Sequence, residues 1–242
     1  MIDWILSLAI GLGIFAVIYA GAFSLTMVLS KKTGLGRGFS ERPWMTNLIV
    51  GPVVIAGSLL AILVLCQGSL ALYGLQLPSY QGAITVAFLG SALAFITVLV
   101  AEHISPTPSA MGPPSDLRGR IAFFLLIVVL ASISEELLFR GVLQNILDNT
   151  RLIALDLGVF SLTSGALVSG IVFAAVHAAP ARQTGGSPGV LVGSALILGV
   201  AAGVSLTETS SLVGPVLVHA LFNLFGFAIA VKQGAALHSE SV

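Results

Sequence analysis

Three short polar groups interrupt an otherwise apolar chain: Ser134-Glu135-Glu136-Leu137-Leu138-Phe139-Arg140-Gly141, then Phe173-Ala174-Ala175-Val176-His177, then His219-Ala220-Leu221-Phe222-Asn223. Two carboxylates, a guanidinium, two imidazoles and an amide on three helices make a buried polar site, with groups able to activate a water, donate hydrogen bonds and move protons. On helices, the four-residue spacings decide which groups face each other. Glu136 and Arg140 share a face with the acid N-terminal, the favourable order for an ion pair, and His219 and Asn223 share another. Glu135 points about 100° away from Glu136. It is the carboxylate free of the arginine, suited to be the general base, with His177 sharing its water. Glu136 and Arg140 then brace the site, and Phe173 packs beside it. The alternative chemistry is zinc held by His177, His219 and Glu135, with a metal-activated water. No His-Glu-x-x-His is present, so spacing alone does not define such a site.

The elements that carry these groups must lie in lipid. Of 242 residues, 57% are hydrophobic and 8% charged, and the formal net charge is zero. A soluble domain carries about 25% charged residues. Ten Lys and Arg scattered over the chain leave no patch able to neutralise several phosphates, so nucleic acid is not a partner. No Asp, Glu, Lys or Arg occurs between Asp3 and Lys31 or between Arg42 and Glu102, and the second gap holds two helices of about 20 residues. The single cysteine, Cys66, permits no intramolecular disulfide.

Apolar windows predict an all-α transmembrane bundle of seven helices, roughly 4–29, 46–73, 83–101, 121–147, 157–178, 189–206 and 212–231, forming one integral-membrane domain over 1–242. Lys31, Lys32, Arg37, Arg42, Arg118, Arg120, Arg182 and Lys232 fall on one side of this ladder and only Arg151 on the other. That asymmetry puts the N-terminus outside and the C-terminus in the cytoplasm, and the first helix is read as retained rather than cleaved. The stretch from Pro106 to Pro114 reads as a cytoplasmic linker, and His103 and His238 as solvated groups. Small residues four apart, such as Gly199 and Gly203, suit close helix packing.

The fourth span is the costly one. Glu135, Glu136 and Arg140 each oppose insertion by about 2.5–3.5 kcal/mol, roughly 9 kcal/mol together. Its 17 Ile, Leu, Val and Phe residues return about 0.3–0.6 kcal/mol each. Such a helix needs partners, and intramembrane ionisable groups mark function. On straight helices, however, Glu135 falls at mid-membrane, His177 near the cytoplasmic end of its span and His219 in the outer half. Those depths do not converge.

The ordered set Glu135-Glu136-x-x-x-Arg140, Phe173-x-x-x-His177 and His219-x-x-x-Asn223 resembles the three motifs of the CPBP superfamily, which includes the type II CAAX prenyl endopeptidases and the bacteriocin-processing enzymes. The resemblance covers about residues 120–230 and implies a core of eight helices, one more than the seven windows. It also implies a glutamate-dependent intramembrane endopeptidase in which His219 and Asn223 donate to the oxyanion. The implied substrate is a membrane-associated protein or peptide, of the prenylated CAAX type in type II members. The compact size and Gly/Ala/Val/Leu bias suit a prokaryotic plasma membrane, where prenylated substrates are unexpected. Two other classes compete. A proton-coupled transporter could use the same Glu and His groups, but no inverted repeat is visible. A bacteriocin-immunity scaffold without turnover is disfavoured by the filled motifs.

Overall fold

The structure, a computed structural model, describes residues 2–33, 35–65, 69–105, 112–150, 154–156, 158, 160–183 and 187–239. Cys66, Arg151 and most of the Pro106–Pro114 linker lie outside the described residues, as do the side chains of Arg182 and His238. The chain runs through α1 (Ile2–Thr33), the short α2 (Gly36–Glu41), α3 (Asn47–Leu65), α4 (Tyr80–Ile104) and α5 (Leu117–Asp148). A two-stranded hairpin, β1 (Ala154–Asp156) and β2 (Ser161–Thr163), then leads into α6 (Ser164–Gln183), α7 (Pro188–Thr209) and α8 (Val213–Ser239). Six helices among the described residues are long and apolar enough to cross a membrane, and α6 carries a shorter apolar run, Ser164–Ala179. The protein is a multi-pass helical membrane bundle.

All seven expected spans correspond to helices; α8 runs on past 231 to Ser239 and α6 past 178 to Gln183, and two other ends differ for a structural reason. The window 46–73 stops at Leu65, and Leu70–Tyr73 forms a separate 3-10 turn. The window 157–178 begins seven residues late, because residues 161–163 pair with β1 instead of starting a helix. Asp148, at the end of α5, sets this start: it accepts from the Gly165 amide at 3.1 Å and from the Thr163 hydroxyl at 3.1 Å. It thereby caps α6 through space, the way a local N-cap aspartate does. Glu208 holds the hairpin from α7 by accepting from the Ser161 amide at 2.8 Å.

Helix α5 is not a uniform α-helix. Two π-helical stretches, Phe124–Ala131 and Leu137–Gln144, flank one α-helical turn, Ser132–Glu136. An α-helix has 3.6 residues per turn and a π stretch is wider, so the mixture averages about four residues per turn. Residues four apart therefore stack in a straight line instead of drifting around the helix. That line is polar: Ser132, Glu136, Arg140, Gln144 and Asp148, the first four fully buried.

Against this line lies α7. Arg140 Nη2 donates to the Gly199 carbonyl at 2.5 Å and Gln144 Nε2 to the Gly203 carbonyl at 3.0 Å. On its other side α7 meets α6 so closely that a Cβ on Gly199 would lie 2.9 Å from Gly170 Cα. The glycines let three backbones approach, as association in lipid favours. Gly199→Val should therefore destabilise the bundle by about 1–3 kcal/mol. Gly193→Ala, at a position with open space around it, should leave unfolding in detergent unchanged or slightly raised. Equal unfolding curves for the two variants would contradict the packing.

Candidate active site

The α-helical turn of α5 presents its two glutamates in different directions. Glu136 is fully buried, whereas the Glu135 side chain retains 29% exposure. Glu136 takes Arg140 one turn on, with Nη1 3.0 Å from Oε1 and 2.9 Å from Oε2. The same Oε1 accepts from His219 Nδ1, on α8, at 2.7 Å. Arg140 is stacked between aromatic faces, its guanidinium carbon 5.1 Å from the Phe173 ring centre and 5.7 Å from that of Phe139. One buried carboxylate thus binds a cation from its own helix and an imidazole from another, and its desolvation is offset by three short contacts.

His177 and His219 then turn toward Glu135. The Nε2 of each ring lies 4.0 Å from the same oxygen, Glu135 Oε2. The far nitrogen of each ring fixes its tautomer: His177 Nδ1 is 2.8 Å from the Phe173 carbonyl and His219 Nδ1 2.7 Å from Glu136. A carbonyl and an ionised carboxylate only accept, so both Nδ1 atoms carry a proton, and in the neutral rings both Nε2 atoms present lone pairs. Three acceptors converge on one spot. A separation of 4.0 Å is too long for a direct hydrogen bond and short enough for one water to bridge.

The depth conflict of the straight ladder disappears here. Because α6 starts seven residues late and runs on through Gln183, His177 moves from the end of its helix to within about 5 Å of the middle, at 1.5 Å rise per residue. Phe173, one turn before His177, is fully buried. It backs both imidazoles, its ring centre 4.4 Å from His177 and 5.5 Å from His219, so packing and site support are a single role.

Asn223, one turn after His219 on α8, faces α5. Its amide donates to the Ile127 carbonyl at 3.0 Å and to the Ser132 hydroxyl at 3.1 Å. These two hydrogen bonds pin α8 to α5. Three further residues complete the frame without belonging to any motif: Ser132, Gln144 and Asp148. Their signal was present in the chain as a polar residue at every fourth position of an apolar helix.

Metal chemistry can be tested against this donor set. The ring orientation suits it, since metal-binding histidines use their other nitrogen on a carbonyl or carboxylate. The spacing does not. Ligands at about 2.0–2.1 Å around a tetrahedral zinc sit about 3.3 Å apart, and among the described residues no three His, Cys, Asp or Glu are grouped to hold a metal ion. Removal of the buried cation has a sharper consequence. Arg140→Met leaves Glu136 with His219 alone and should cost about 3–5 kcal/mol of unfolding free energy in detergent, whereas a loss below about 1 kcal/mol would show that the pair is not ionised as described.

Residues 117–225 match the family model of the type II CAAX prenyl endopeptidase Rce1-like proteins. No curated protein and no solved structure matches the chain. The matched segment opens at the start of α5, ends within α8 and encloses Glu135, Glu136, Arg140, Phe173, His177, His219 and Asn223. The match supports membership of the CPBP superfamily of CAAX-type intramembrane proteases.

Proposed function

We propose that the protein is an intramembrane endopeptidase that hydrolyses a peptide bond of a membrane-associated protein or peptide with water activated by Glu135. The observation that carries this reading is the convergence of Glu135 Oε2 with the lone pairs of His177 Nε2 and His219 Nε2, each 4.0 Å away. A water among three acceptors gives its protons to two of them and turns a lone pair outward. Its oxygen attacks the scissile carbonyl carbon while Glu135 takes a proton, and the carbonyl electron pair moves onto oxygen. On collapse the C–N bond breaks and Glu135 returns that proton to the leaving nitrogen, one group serving as base and then acid. His177 and His219 orient the water; Glu136 and Arg140 orient His219.

The basic residues on alternate loops support an orientation with the N-terminus outside and the C-terminus in the cytoplasm of a plasma membrane. The whole chain acts as one integral-membrane domain, with the protease core over 120–230. The partly exposed Glu135 and His177 side chains give substrate a way in, and the family match supports substrates of the CAAX type or their unprenylated equivalents.

One observation favours a second reading. The Nδ1 hydrogen bonds of both histidines are those of metal ligands, and zinc bound by His177, His219 and Glu135 would supply Lewis acidity to the same water. Metal content and chelator titration of the purified protein separate the two: full activity in metal-free protein supports the glutamate mechanism, and bound zinc whose removal reversibly abolishes activity supports the metal. In either case Glu135→Gln should lower cleavage of a labelled hydrophobic peptide by about 10²–10⁴-fold. His103→Ala, at an exposed residue, should leave it unchanged. A Glu135→Gln protein that cleaves at the wild-type rate refutes the assignment.

A further inference from the structure

A large cavity lies apart from the glutamate–histidine cluster. It holds about 810 Å³ between α4 and α7, within the range of pockets that bind a small ligand. Val218 of α8 forms part of its wall, and α4 comes down onto that residue at Gly90, where a Cβ would lie 3.1 Å from Val218 Cγ2. His219 is turned about 100° from Val218 around α8, and no motif residue lines the cavity. A peptide held here would have α8 between itself and Glu135, so the space is not read as part of the hydrolytic site.

Its length and lining indicate what fills it. Along α4 the lining runs from Ser79 to Leu93, and along α7 from Thr209 back to Leu196, about 20 Å at 1.5 Å per residue. The hydrocarbon of one leaflet is about 15 Å deep, so the slot takes one extended acyl chain with room for the start of a headgroup. The deeper lining is Val, Leu, Ile, Ala and Gly, and polar side chains gather toward the end beside the β1–β2 hairpin. Glu208 is fixed at that mouth because one carboxylate oxygen accepts from the Ser161 amide at 2.8 Å. The same bond holds the adjoining Phe160 against the slot.

The mouth has two kinds of polar group. Gln81 and Thr85, one turn apart on α4 and both exposed, offer N–H and O–H donors suited to a phosphate. Glu208 is the single charge in the lining, with no Lys, Arg or His beside it. A net anionic headgroup would meet that carboxylate without compensation, and a quaternary choline has no N–H to give it. A primary ammonium has three, and its hydrogen bonds to a carboxylate are charge-assisted.

We propose that the α4–α7 cavity binds one acyl chain of a zwitterionic phospholipid with a primary ammonium headgroup, the ammonium on Glu208 and the phosphate on Gln81 and Thr85. The site is independent of the hydrolytic reading, since binding requires no turnover and no activated water.

Native mass spectrometry of the delipidated protein in detergent, titrated with phosphatidylethanolamine, phosphatidylcholine and phosphatidylglycerol of identical chains, tests the proposal. Wild type should take up one phosphatidylethanolamine at least about tenfold more tightly than either other lipid. Val204→Trp, which sets an indole in the slot, should weaken that binding at least about tenfold. Glu208→Gln keeps an acceptor for the Ser161 amide, so it should leave the melting temperature unchanged and bring phosphatidylethanolamine to within about twofold of phosphatidylcholine. This second variant carries the test even if Val204→Trp fails to fold. Equal uptake of the three lipids by wild type, uptake of none, binding indifferent to a folded Val204→Trp, or a preference untouched by Glu208→Gln overturns the site.

Discussion

The buried carboxylate of Glu136 is the constraint on which the rest of the site depends. An ionised group in the hydrocarbon core is tolerated only with partners, and Glu136 draws them from two helices: Arg140 from α5 and His219 from α8. Ion pairs of this kind contribute little net stability once desolvation is counted. Their value here is orientation. The Nδ1 proton that His219 gives to Glu136 leaves Nε2 an acceptor in the neutral ring, and the same contact turns the ring toward Glu135. Arg140, reaching on to the Gly199 carbonyl, ties the same carboxylate to α7. One buried charge thereby sets the spatial relation of three helices.

A straight α-helix would not line up this system. Groups four apart on an α-helix drift by about 40° per step, so a run from Ser132 to Asp148 would leave the seam within three steps. The π stretches of α5 remove the drift and let Asn223, His219, the Gly199 and Gly203 carbonyls and the hairpin meet one polar line. Wide turns of this type recur at functional sites. In α5 they have a geometric purpose: a site residue and its supports share one face over the whole length of a membrane span.

Much of this was legible in the chain. Glu135, Glu136 and Arg140 stand out because charge is scarce in an apolar span, and His177, His219 and Asn223 because polar groups on separate helices exceed what packing needs. The seven spans follow from hydropathy, and most ends fall within a few residues. The convergence of the site was not legible, because it depends on where α6 begins, and that is set by Asp148 across a loop rather than by any local signal before Ser164. The contact of Asn223 with α5 depends on a carbonyl and a hydroxyl on that helix, at 3.0 and 3.1 Å, which no four-residue spacing within α8 foretells.

The central claim is that Glu136 fixes the tautomer and direction of His219 so that two imidazole lone pairs face Glu135. Nitrogen NMR of protein labelled at its four histidines reads this directly. The account predicts that His219 and His177 both carry their proton on Nδ1 with Nε2 bare, and that Glu136→Gln shifts the His219 nitrogens while leaving those of His177 in place. A proton on His219 Nε2, or a His219 signal indifferent to Glu136→Gln, would contradict it.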